Sequence, residues 1–487
     1  MRTVFALLLV SCSLLVSAQK MQWSSCAVNT DIEYKIYAMS TAKNEVCVGG
    51  PSGELSYRSE PAGLFSGTGE TQLDEHNVSS AGSYLFVYDF DGRLKWSEHT
   101  YREERIDGVC YDSRNRLTAL KYMPMNYNRP SYYDEYNEEE EDESNDEEYE
   151  EPKFHYTLCR YDNEGGVTTH VTIEGLLGVE VTDFKSHPGG GFLIAGHADN
   201  GIFVSNLQLD AGKGGCDFVV HVDSAGKIIW GDALAYRKTA CCTYGSEPEV
   251  AVDSKGNVII AGAYVGGASF GGGEQVRMAK MPYNPVYAYD AMETYVASYS
   301  AQGKFQWVKT AGTHSTFSGL VAGNGNIYVG TIMHQREGKL FGAAIDTADH
   351  QAVFVTILGE NGKVKSTIST GSLSRITLAI DEKKNLVVTG VIGIKTGYLA
   401  RSEQKKREDV YVAFYSASGK YITHHEYNVL KISSDEAPFC MAVNSNQYFL
   451  GGQLWAVLPI SLHLLNEAFP DTKLYGGGTF LARCGKQ

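Results

Sequence analysis

The stretch Val250-Ala251-Val252-Asp253-Ser254-Lys255-Gly256-Asn257-Val258-Ile259-Ile260-Ala261-Gly262 shows the pattern on which the whole chain is built. Two short apolar segments flank an Asp-Ser-Lys-Gly-Asn turn, which is typical of a β-hairpin. Similar hairpins recur at 34–50, 107–120, 180–196, 318–330, 376–390 and 440–452. Because no segment shows the periodicity of a long amphipathic helix, the sequence predicts an all-β protein.

A second hairpin type alternates with the first. Its clearest copy, 295–307, has an aromatic-rich strand, a turn ending in Gly303 and another strand ending in Trp307. One hairpin of each type makes a four-stranded sheet, with strands a, b, c and d in chain order. A single sheet of this kind cannot bury both faces, so neighbouring sheets are expected to stack around an axis as the blades of a β-propeller. The other copies lie at 84–96, 156–170, 217–230, 353–367 and 410–423.

The number of hairpins of the first type predicts seven blades. In the last copy, 479–484 supplies strand c and the chain then stops at Gln487, which leaves one outer strand missing. Lys20-Met21-Gln22-Trp23 is similar to Lys304-Phe305-Gln306-Trp307, the d strand of the clearest copy. The sequence therefore predicts one seven-bladed β-propeller over 19–487, whose N-terminal strand completes the C-terminal blade and closes the ring. Two separate β domains would leave both chain ends as open sheet edges.

A family resemblance rests on the segment Val250 to Gly312. Its Val-Ala-Val-Asp-Ser-Lys-Gly-Asn-Val stretch, Gly267-Ala268-Ser269-Phe270-Gly271 and Gly303-Lys304-Phe305-Gln306-Trp307 resemble the SBBP family of β-propeller repeats. The turns at 114–116 and 444–446 depart from this pattern. The resemblance implies an extracytoplasmic seven-bladed propeller and carries no catalytic residue over to this chain.

The N-terminus has the features of a signal peptide over residues 1–18. Arg2 supplies a positive start, 4–10 form an apolar stretch, and Val16-Ser17-Ala18 suits cleavage before Gln19. Leu9-Val10-Ser11-Cys12 also matches a bacterial lipoprotein box, although the apolar stretch continues beyond Cys12. Both interpretations predict export, and with cleavage after Ala18 we expect a secreted, extracellular protein. No later apolar run reaches the roughly 18 residues of a membrane-spanning helix.

Loss of the signal peptide would leave nine of the ten cysteines, and export permits disulfides. Since nine is odd, at least one cysteine is expected to be free or to pair between chains. Adjacent Cys241 and Cys242 either bridge each other or take separate partners. No Cys-x-x-Cys or His-Glu-x-x-His pattern occurs, so common zinc sites are not indicated. Asn77-Val78-Ser79 is a glycosylation sequon, usable only in a eukaryotic secretory route.

All the variation in length falls between strands b and c, where the repeats have insertions. Strands in an up-and-down sheet alternate in direction, so a–b and c–d turns share one end and b–c connections share the other. The insertions are therefore expected to gather on one rim, and long loops on a rigid scaffold are frequent binding sites. The insertions are 51–82, 121–154, 197–215, 263–293, 331–351, 391–408 and 453–478.

The b–c insertion of the second blade is acidic. Residues 134–151 hold 13 Asp and Glu in 18 positions, which accounts for most of the formal net charge of −16. That charge argues against nucleic-acid binding. The segment, about 123–154, is predicted to be a disordered arm that serves as a solvated spacer, attracts a basic partner or captures Ca²⁺ weakly. The candidate Ca²⁺ ligands are Glu138, Glu139, Glu140, Glu141, Asp142 and Glu143.

The insertions of the second and fourth blades are rich in tyrosine. Tyrosine offers a large stacking face and a polar hydroxyl at low entropic cost, which suits contact with sugars or proteins, although these side chains equally suit packing against the rim. The candidate binding residues are Tyr127, Tyr132, Tyr133, Tyr136, Tyr283, Tyr287 and Tyr289.

Catalytic patterns are present only in forms that the β-hairpins explain better. Gly267-Ala268-Ser269-Phe270-Gly271 matches the Gly-x-Ser-x-Gly hydrolase pattern, but that motif needs a strand-to-helix elbow. Asp89-Phe90-Asp91-Gly92 fits a c–d turn better than a calcium loop. His424 and His425 lie in a predicted strand and should face opposite sides of the sheet.

Two functions therefore remain from the sequence. The first, favoured by the one-sided insertions, is a secreted, non-catalytic binding or adhesion module that recognises an extracellular protein or glycan and needs no cofactor apart from weakly bound Ca²⁺. The alternative is an extracellular hydrolase or lyase with residues from several blades converging on the axis, which a single sequence does not reveal.

Overall fold

The structure is a computed structural model. It describes residues 21–28, 38–52, 63–66, 69–72, 82–100, 104–124, 154–177, 179–198, 202–204, 207–209, 215–236, 247–271, 275–277, 292–312, 314–334, 337–346, 352–370, 373–392, 408–429, 440–444, 447–460 and 474–485. These ranges are all-β, as the sequence predicts. Within them, no helix has the length and apolar composition needed to cross a membrane.

The strands follow the predicted hairpins in chain order. The first eighteen are β1 (Met21–Val28), β2 (Ala38–Thr41), β3 (Glu45–Ser52), β4 (Gly63–Ser66), β5 (Gly69–Gln72), β6 (Gly82–Asp89), β7 (Leu94–His99), β8 (Arg105–Tyr111), β9 (Leu117–Pro124), β10 (Phe154–Tyr161), β11 (Val167–Ile173), β12 (Glu180–Ser186), β13 (Phe192–Ala198), β14 (Ile202–Val204), β15 (Leu207–Leu209), β16 (Cys216–Val222), β17 (Ile228–Tyr236) and β18 (Glu249–Val252). The others are β19 (Val258–Val265), β20 (Gly267–Ser269), β21 (Gln275–Arg277), β22 (Met292–Tyr299), β23 (Phe305–Thr310), β24 (Ser315–Gly323), β25 (Asn326–Met333), β26 (Glu337–Leu340), β27 (Ala343–Asp346), β28 (Ala352–Gly359), β29 (Val364–Ser369), β30 (Leu373–Ile380), β31 (Leu386–Ile392), β32 (Glu408–Tyr415), β33 (Tyr421–Val429), β34 (Cys440–Asn444), β35 (Gln447–Ile460) and β36 (Leu474–Gly485).

Six antiparallel, four-stranded blades make up a β-propeller, which confirms the predicted architecture of paired hairpins. In chain order, blades 1 to 6 are β2-β3-β6-β7, β8-β9-β10-β11, β12-β13-β16-β17, β18-β19-β22-β23, β24-β25-β28-β29 and β30-β31-β32-β33. A further sheet has the strand order β34-β35-β36-β1-β4-β5. Its hairpin β34–β35 contacts blade 6 through Phe414 and Tyr448, whose ring centroids are 5.8 Å apart, and blade 1 through Phe90 and Phe449, at 5.1 Å.

The short turns join a to b and c to d, and an aspartate at the first position explains many of them. In blade 4, Asp253 Oδ1 accepts hydrogen bonds from the backbone N–H groups of Lys255 (2.8 Å) and Asn257 (2.9 Å). Asp89 makes the same pair of bonds with Asp91 and Arg93 in the c–d turn of blade 1. The segment 89–92 is therefore a hairpin turn, as the sequence predicts.

Two b–c insertions contain hairpins that extend a neighbouring sheet, a feature the sequence did not predict. The hairpin β20–β21 of blade 4 pairs with β17, the outer strand of blade 3, at Ala235↔Ser269. The hairpin β4–β5 of blade 1 pairs in the same way with β1. The two hairpins thus cover the edges of β17 and β1, where unpaired backbone groups would otherwise invite aggregation.

Neighbouring blades are held together at the c–d turns. The Cα of Gly303 in blade 4 lies so close to Trp230 of blade 3 that a Cβ would come within 2.4 Å of the indole, and Gly165 of blade 2 has the same relation to Trp96 of blade 1, at 2.8 Å. The φ angles of these glycines are +80° and +89°. Only glycine combines this backbone conformation with so close an approach. The other inter-blade pairs are Gly226 with Val171, Gly362 with Trp307, and Gly419 with Ile368.

The indoles at these contacts are also hydrogen-bonded and stacked. Trp230 Nε1 donates to the carbonyl oxygen of Ala301 at 3.1 Å, and its ring lies 5.9 Å from that of Tyr299 in the next blade. Trp307 Nε1 donates to the carbonyl oxygen of Glu360, also at 3.1 Å. This arrangement explains the spacing of Gly303 and Trp307 in the repeat. The backbone at Gly303 packs against the preceding blade, and the side chain of Trp307 packs against the following one.

The innermost strands of neighbouring blades are joined by a second set of contacts. In each contact, a side-chain oxygen of one blade accepts a hydrogen bond from a backbone N–H of the next blade. These N–H groups of the innermost strands therefore have acceptors. These bonds run from Tyr111 N to Ser40 Oγ (3.1 Å), Val250 N to Asp183 Oδ2 (2.9 Å), Leu320 N to Glu249 Oε2 (2.8 Å) and Ile376 N to Ser318 Oγ (2.8 Å).

Replacing Gly303 with alanine should destabilise the propeller more than replacing Gly256. Both glycines have a φ of +80°, but a Cβ at Gly256 would lie 4.0 Å from its nearest neighbour, Ala301, whereas one at Gly303 would collide with Trp230. Gly256→Ala should cost only the backbone strain, about 1–2 kcal/mol. Gly303→Ala should cost a further 1–3 kcal/mol or so from overpacking. Urea unfolding of the two variants measures the difference, and equal losses would contradict this interpretation of the blade contact.

Candidate functional site

The residues that the sequence predicts as binding or metal-ligating groups lie outside the described residues. Tyr127, Tyr132, Tyr133, Tyr136 and the acids from Glu138 to Glu143 fall within 125–153. Tyr283, Tyr287 and Tyr289 fall within 278–291, and Asn77 within 73–81. These assignments stay predictions, because the segments 73–81, 125–153 and 278–291 are not among the residues that the structure describes.

The end of the blades at which strands b finish and strands c begin is called the insertion rim. In blade 2 this end carries a group of five side chains, which we call the rim cluster: Arg105, Asp107, Tyr122, Phe154 and Tyr156. Arg105, Tyr122 and Tyr156 stand directly opposite one another on strands a, b and c, so they share one face of the sheet. The acidic insertion begins and ends beside this cluster, at Pro124 and Phe154.

Aromatic stacking and an ion pair organise the rim cluster. The rings of Tyr122 and Phe154 are nearly parallel, with centroids 4.8 Å apart and an interplanar angle of 6°. The guanidinium carbon of Arg105 lies 5.0 Å from the centroid of the Tyr122 ring, a cation–π distance. Two nitrogens of the same guanidinium contact the carboxylate of Asp107, with Nη2 to Oδ2 at 2.8 Å. The polar and aromatic halves of the cluster are thus joined through Arg105.

Asp107 keeps Arg105 charged, and burial keeps the hydroxyl of Tyr156 protonated. The side chain of Asp107 is 5% exposed and that of Arg105 is 42% exposed, so the cation is the part that reaches solvent. Burial acts against the guanidinium, but the hydrogen bonds and charge of Asp107 hold the pKa of Arg105 above its usual value. Burial, followed by the charge of Asp107, raises the pKa of Tyr156, whose hydroxyl donates to Asp107 Oδ2 at 3.0 Å. The cluster is a neutral ion pair beside an aromatic face.

A second group, the axial cluster, consists of Asp183, Lys185 and Glu249 on the innermost strands of blades 3 and 4. Asp183 and Glu249 occupy equivalent positions, because each pairs with the alanine that precedes a glycine in strand b. Lys185 Nζ donates to Asp183 Oδ1 at 2.9 Å, and the two side chains are 51% and 11% exposed. Since β12 is the innermost strand of its blade, the half-exposed lysine is solvated from the axial side.

The axial cluster holds a carboxyl group that titrates near neutral pH. Burial raises the pKa of Glu249 to about 7, and the charge of Asp183 adds to the rise while Lys185 opposes it. Burial acts against the ammonium of Lys185, but Asp183 and Glu249 hold its pKa above the ordinary value. A carboxyl with a pKa near 7 is suited to donate or accept a proton at physiological pH.

The catalytic patterns weighed in the sequence have structural explanations. Ser269 lies in β20, which pairs with β17 on one side and β21 on the other, and Phe270 packs edge-on against Tyr295 with ring centroids 5.3 Å apart. His424 stacks on Tyr411 at 5.1 Å, and His425 meets Phe414. The two adjacent histidines of β33 therefore have different partners, as the alternation of a strand predicts. Among the residues described, no group of three or more His, Cys, Asp and Glu is placed to hold a metal ion.

Three cysteines in the described strands are buried free thiols: Cys47, Cys110 and Cys159. Burial raises the pKa of each, to about 11 for Cys159, so none is a thiolate nucleophile at neutral pH. Their presence agrees with the prediction that the nine cysteines do not all pair within the chain. The disulfides that export permits stay a prediction.

Comparison with known proteins finds only distant structural similarity. No protein-family model and no curated protein matches the sequence. Among solved structures, the Dos1 propeller is similar, with 9% identity and a TM-score of 0.41 over 94% of this chain and 94% of that chain. The polysaccharide lyase Uly1 has 9% identity and a TM-score of 0.43 over 95% and 98% of the two chains, and the phage phi92 endosialidase has 10% and 0.42 over 96% and 70%. At these identities and TM-scores the similarity carries no conclusion about this chain.

Reasoning from the sequence missed both clusters. Asp183 and Glu249 each precede the first residue of the a–b turn by four positions, at His187 and Asp253, so an alignment of the repeats could have shown two acids on adjacent inner strands. Arg105 gave no such signal. Its role follows from its register opposite Tyr122, which only strand pairing reveals.

Glu249→Gln should remove a pH dependence of stability. Because the folded pKa of about 7 lies above the ordinary 4.5, the native state keeps a proton that the unfolded state releases. The contribution of Glu249 to the free energy of unfolding should therefore fall as pH rises from 4.5 to about 7, and stay constant above that. Glutamine mimics the neutral carboxyl, so the free energy of unfolding of the variant relative to wild type should rise by about 3 kcal/mol across this window.

Urea unfolding at several pH values measures this effect, with Glu360→Gln as the control. Glu360 lies at the surface, and hydrogen bonds from Ser254 and Lys255 lower its pKa, so its own contribution changes only below 4.5. A constant difference between Glu249→Gln and wild type from pH 4.5 to about 8 would show that Glu249 is not protonated in the native state near neutrality.

Proposed function

We propose that this protein is a secreted, non-catalytic binding or adhesion propeller that recognises an extracellular glycan or protein through its insertion rim. The observation that best supports this proposal is that the long connections between strands lie at one end of the blades and the short turns at the other. In blade 4, for example, the a–b and c–d turns are residues 253–257 and 300–304, whereas 266–291 separate strands b and c. A rigid scaffold with long segments on one end is typical of binding surfaces, and the rim cluster adds a half-exposed arginine beside stacked aromatic rings to that end.

The proposal includes a closed ring of seven blades. In each of the six blades the c–d pairing has a register shift next to the turn, as between Ser298↔Trp307 and Tyr299↔Phe305 in blade 4. The pairing of β36 with β1 has the same shift, between Arg483↔Trp23 and Cys484↔Met21. This shared register supports the proposal that β1 is strand d of a seventh blade, in which Trp23 would correspond to Trp307 of blade 4.

The acidic segment and the export signals complete the proposal. Cleavage after Ala18 would release the mature chain, and Asn77 would carry a glycan in a eukaryotic secretory route. The acids at 138–143 would bind Ca²⁺ weakly, on the order of millimolar, and modulate the charge of the rim. These three statements derive from the sequence alone.

Deleting 134–151 and replacing Tyr283, Tyr287 and Tyr289 with alanine should abolish most binding to native extracellular material. These changes remove tyrosine faces and charge from the rim and leave the strands of all six blades intact. A pull-down from that material, with and without Ca²⁺, measures the effect, and the thermal unfolding midpoint should stay within a few degrees of wild type. Unchanged binding by the combined variant would contradict recognition through the rim.

A second candidate function, an extracellular hydrolase or lyase with an axial site, is favoured by one observation. Glu249, with a pKa of about 7, lies among Asp183 and Lys185 on the inner strands, which is a composition suited to general acid–base chemistry. Screening wild type and Lys185→Met against glycan and ester substrates tests this function. Turnover that is lost in the variant would support it, and background rates in both proteins would exclude it for those substrates.

A further inference from the structure

We infer that two buried histidines in ring contact, His187 and His221, form an acid-sensitive contact between blades 3 and 4, which holds at neutral pH and opens when the pair takes up a proton. Both lie at the end of the blades that carries the a–b and c–d turns, which we call the turn end. The inference concerns the scaffold, so it does not depend on which ligand the insertion rim binds.

The two imidazole rings are enclosed at the turn end of blade 3. Their centroids are 4.5 Å apart, and the residues are 7% and 5% exposed. His187 opens the a–b turn, and His221 lies on β16, the c strand of the same blade. The ring of His221 also meets the indole of Trp230 edge-on, with centroids 6.0 Å apart. A charge on either ring would therefore be poorly solvated.

The hydrogen bonds of His187 hold it in one neutral tautomer. Its Nε2 lies 3.3 Å from the carbonyl oxygen of Gly256 in blade 4, and since a carbonyl only accepts, Nε2 carries the proton. Its Nδ1 accepts a hydrogen bond from the backbone N–H of Gly189 at 3.1 Å, so this nitrogen carries none. A second proton could be added only at Nδ1, where it would face the N–H of Gly189. Protonation would thus break that bond and set two donors against each other.

His221 has no acceptor for a second proton. Its Nε2 donates to the carbonyl oxygen of Gly190 at 2.9 Å, so protonation would use Nδ1. This nitrogen is buried and has no hydrogen-bond partner, and a buried charged N–H without an acceptor is costly. Burial, the largest cause, lowers the pKa of His221. The bond to Gly190 and the charge of Asp223 oppose this effect, while His187 adds to it.

The acidic groups nearby do not compensate a charge on the pair. Asp223, which favours a proton on His221, already accepts the backbone N–H groups of Ala225 and Lys227 at 2.8 and 2.9 Å. Among the described residues, no carboxylate is hydrogen-bonded to either imidazole. The other charged residues of the surrounding elements are Lys185, paired with Asp183; Asp253, which binds its own turn; Lys255, paired with Glu360; and Lys227 and Lys304, which are exposed.

Protonation would act on the contact between the two blades. His187 bonds directly to Gly256 of blade 4. His221 contacts Trp230, whose indole N–H bonds to the carbonyl oxygen of Ala301 in blade 4 at 3.1 Å. A local opening of the turn end between blades 3 and 4 would let water reach the rings while the other blades stay folded.

The sign of the pH dependence follows from the lowered pKa of His221. An unfolded histidine takes up a proton below about pH 6.5, whereas the folded chain resists protonation at this position. The contribution of His221 to the free energy of unfolding is therefore fully present above pH 6.5 and is lost as the pH falls below that value.

Urea unfolding of the full chain at pH 7.5 and 5.0 measures this contribution. His221→Gln keeps an N–H donor near the position of Nε2 and cannot titrate. The ratio of the unfolding equilibrium constant of wild type to that of the variant should rise about ten- to thirtyfold from pH 7.5 to 5.0, because only the wild-type unfolded chain takes up a proton at this position. The control is His170→Gln, which replaces an exposed histidine of β11 and should give a constant ratio.

Hydrogen exchange of wild type locates the opening. The turns 187–191 and 253–257 contain hydrogen-bonded backbone amides. After correction for the intrinsic exchange rates, these amides should open about tenfold more often at pH 5.0 than at pH 7.5. The amides of the c–d turn of blade 6, 416–420, should show no such increase, and His221→Gln should abolish it at the first two turns. Because the wild-type comparison needs no variant, it tests the inference even if His221→Gln fails to fold.

Each outcome bears on the inference. A pH-dependent ratio for His221→Gln, together with faster exchange confined to the turns of blades 3 and 4, supports it. A constant ratio, or an increase in exchange that is equal in all blades, overturns it. Faster exchange at pH 5.0 that persists in folded His221→Gln also overturns it. None of these results affects the proposed binding function, because no residue of the insertion rim is changed.

Discussion

The structure depends on the contact between the outer strand of one blade and the turn glycine of the next. Because Gly303 has no Cβ, Trp230 can lie directly against its backbone. The same residue has the positive φ that the turn requires. Tryptophan buries a large apolar area, and its N–H is bonded to the neighbouring turn at Ala301. The contact recurs with Trp96 and Trp307 and, where the outer strand has Val171 or Ile368, with aliphatic side chains. It sets the position of each blade relative to the next.

This packing explains why the two candidate sites, the rim cluster and the axial cluster, lie where they do. Most of the described c–d turns are confined by inter-blade packing, and the a–b turns at Asp112, Asp253 and Asp381 are closed by aspartate side chains. The end of the blades that carries these turns therefore has little room for insertion. The opposite ends of the strands are free to differ, and there Arg105 and Tyr122 form an exposed site above a buried Tyr156. The inner strands meet near the axis, where Asp183 and Glu249 serve the inter-blade hydrogen bonds and also create a titrating group.

Much of the fold follows from sequence because its determinants are local. The Asp253 turn, the alternation of β22 and the spacing of Gly303 and Trp307 are all visible within a few residues, and they predicted the blades and their strand order. The hairpin β20–β21 was missed because its partner, β17, lies about thirty residues earlier in another blade. The rim and axial clusters were missed for the same reason, since Arg105 and Glu249 gain their roles from strand register and burial, which no short motif encodes.

The contact between an outer-strand side chain and the turn glycine of the next blade is tested most directly by two double-mutant cycles. One is between Trp23 and Gly92, and the other, between Trp230 and Gly303, serves as the reference. In the reference pair, Gly303→Ala should cost less stability when Trp230 is already alanine, because the clash with the indole is gone, with a coupling energy of about 1 kcal/mol or more. If β1 is the outer strand of a seventh blade, it should pack on the c–d turn of blade 1 by the same contact. Trp23 and Gly92 should then show a coupling energy of the same sign and similar size. Coupling in the reference pair with none between Trp23 and Gly92 would contradict a ring closed in this way, and no coupling in either pair would contradict the contact itself.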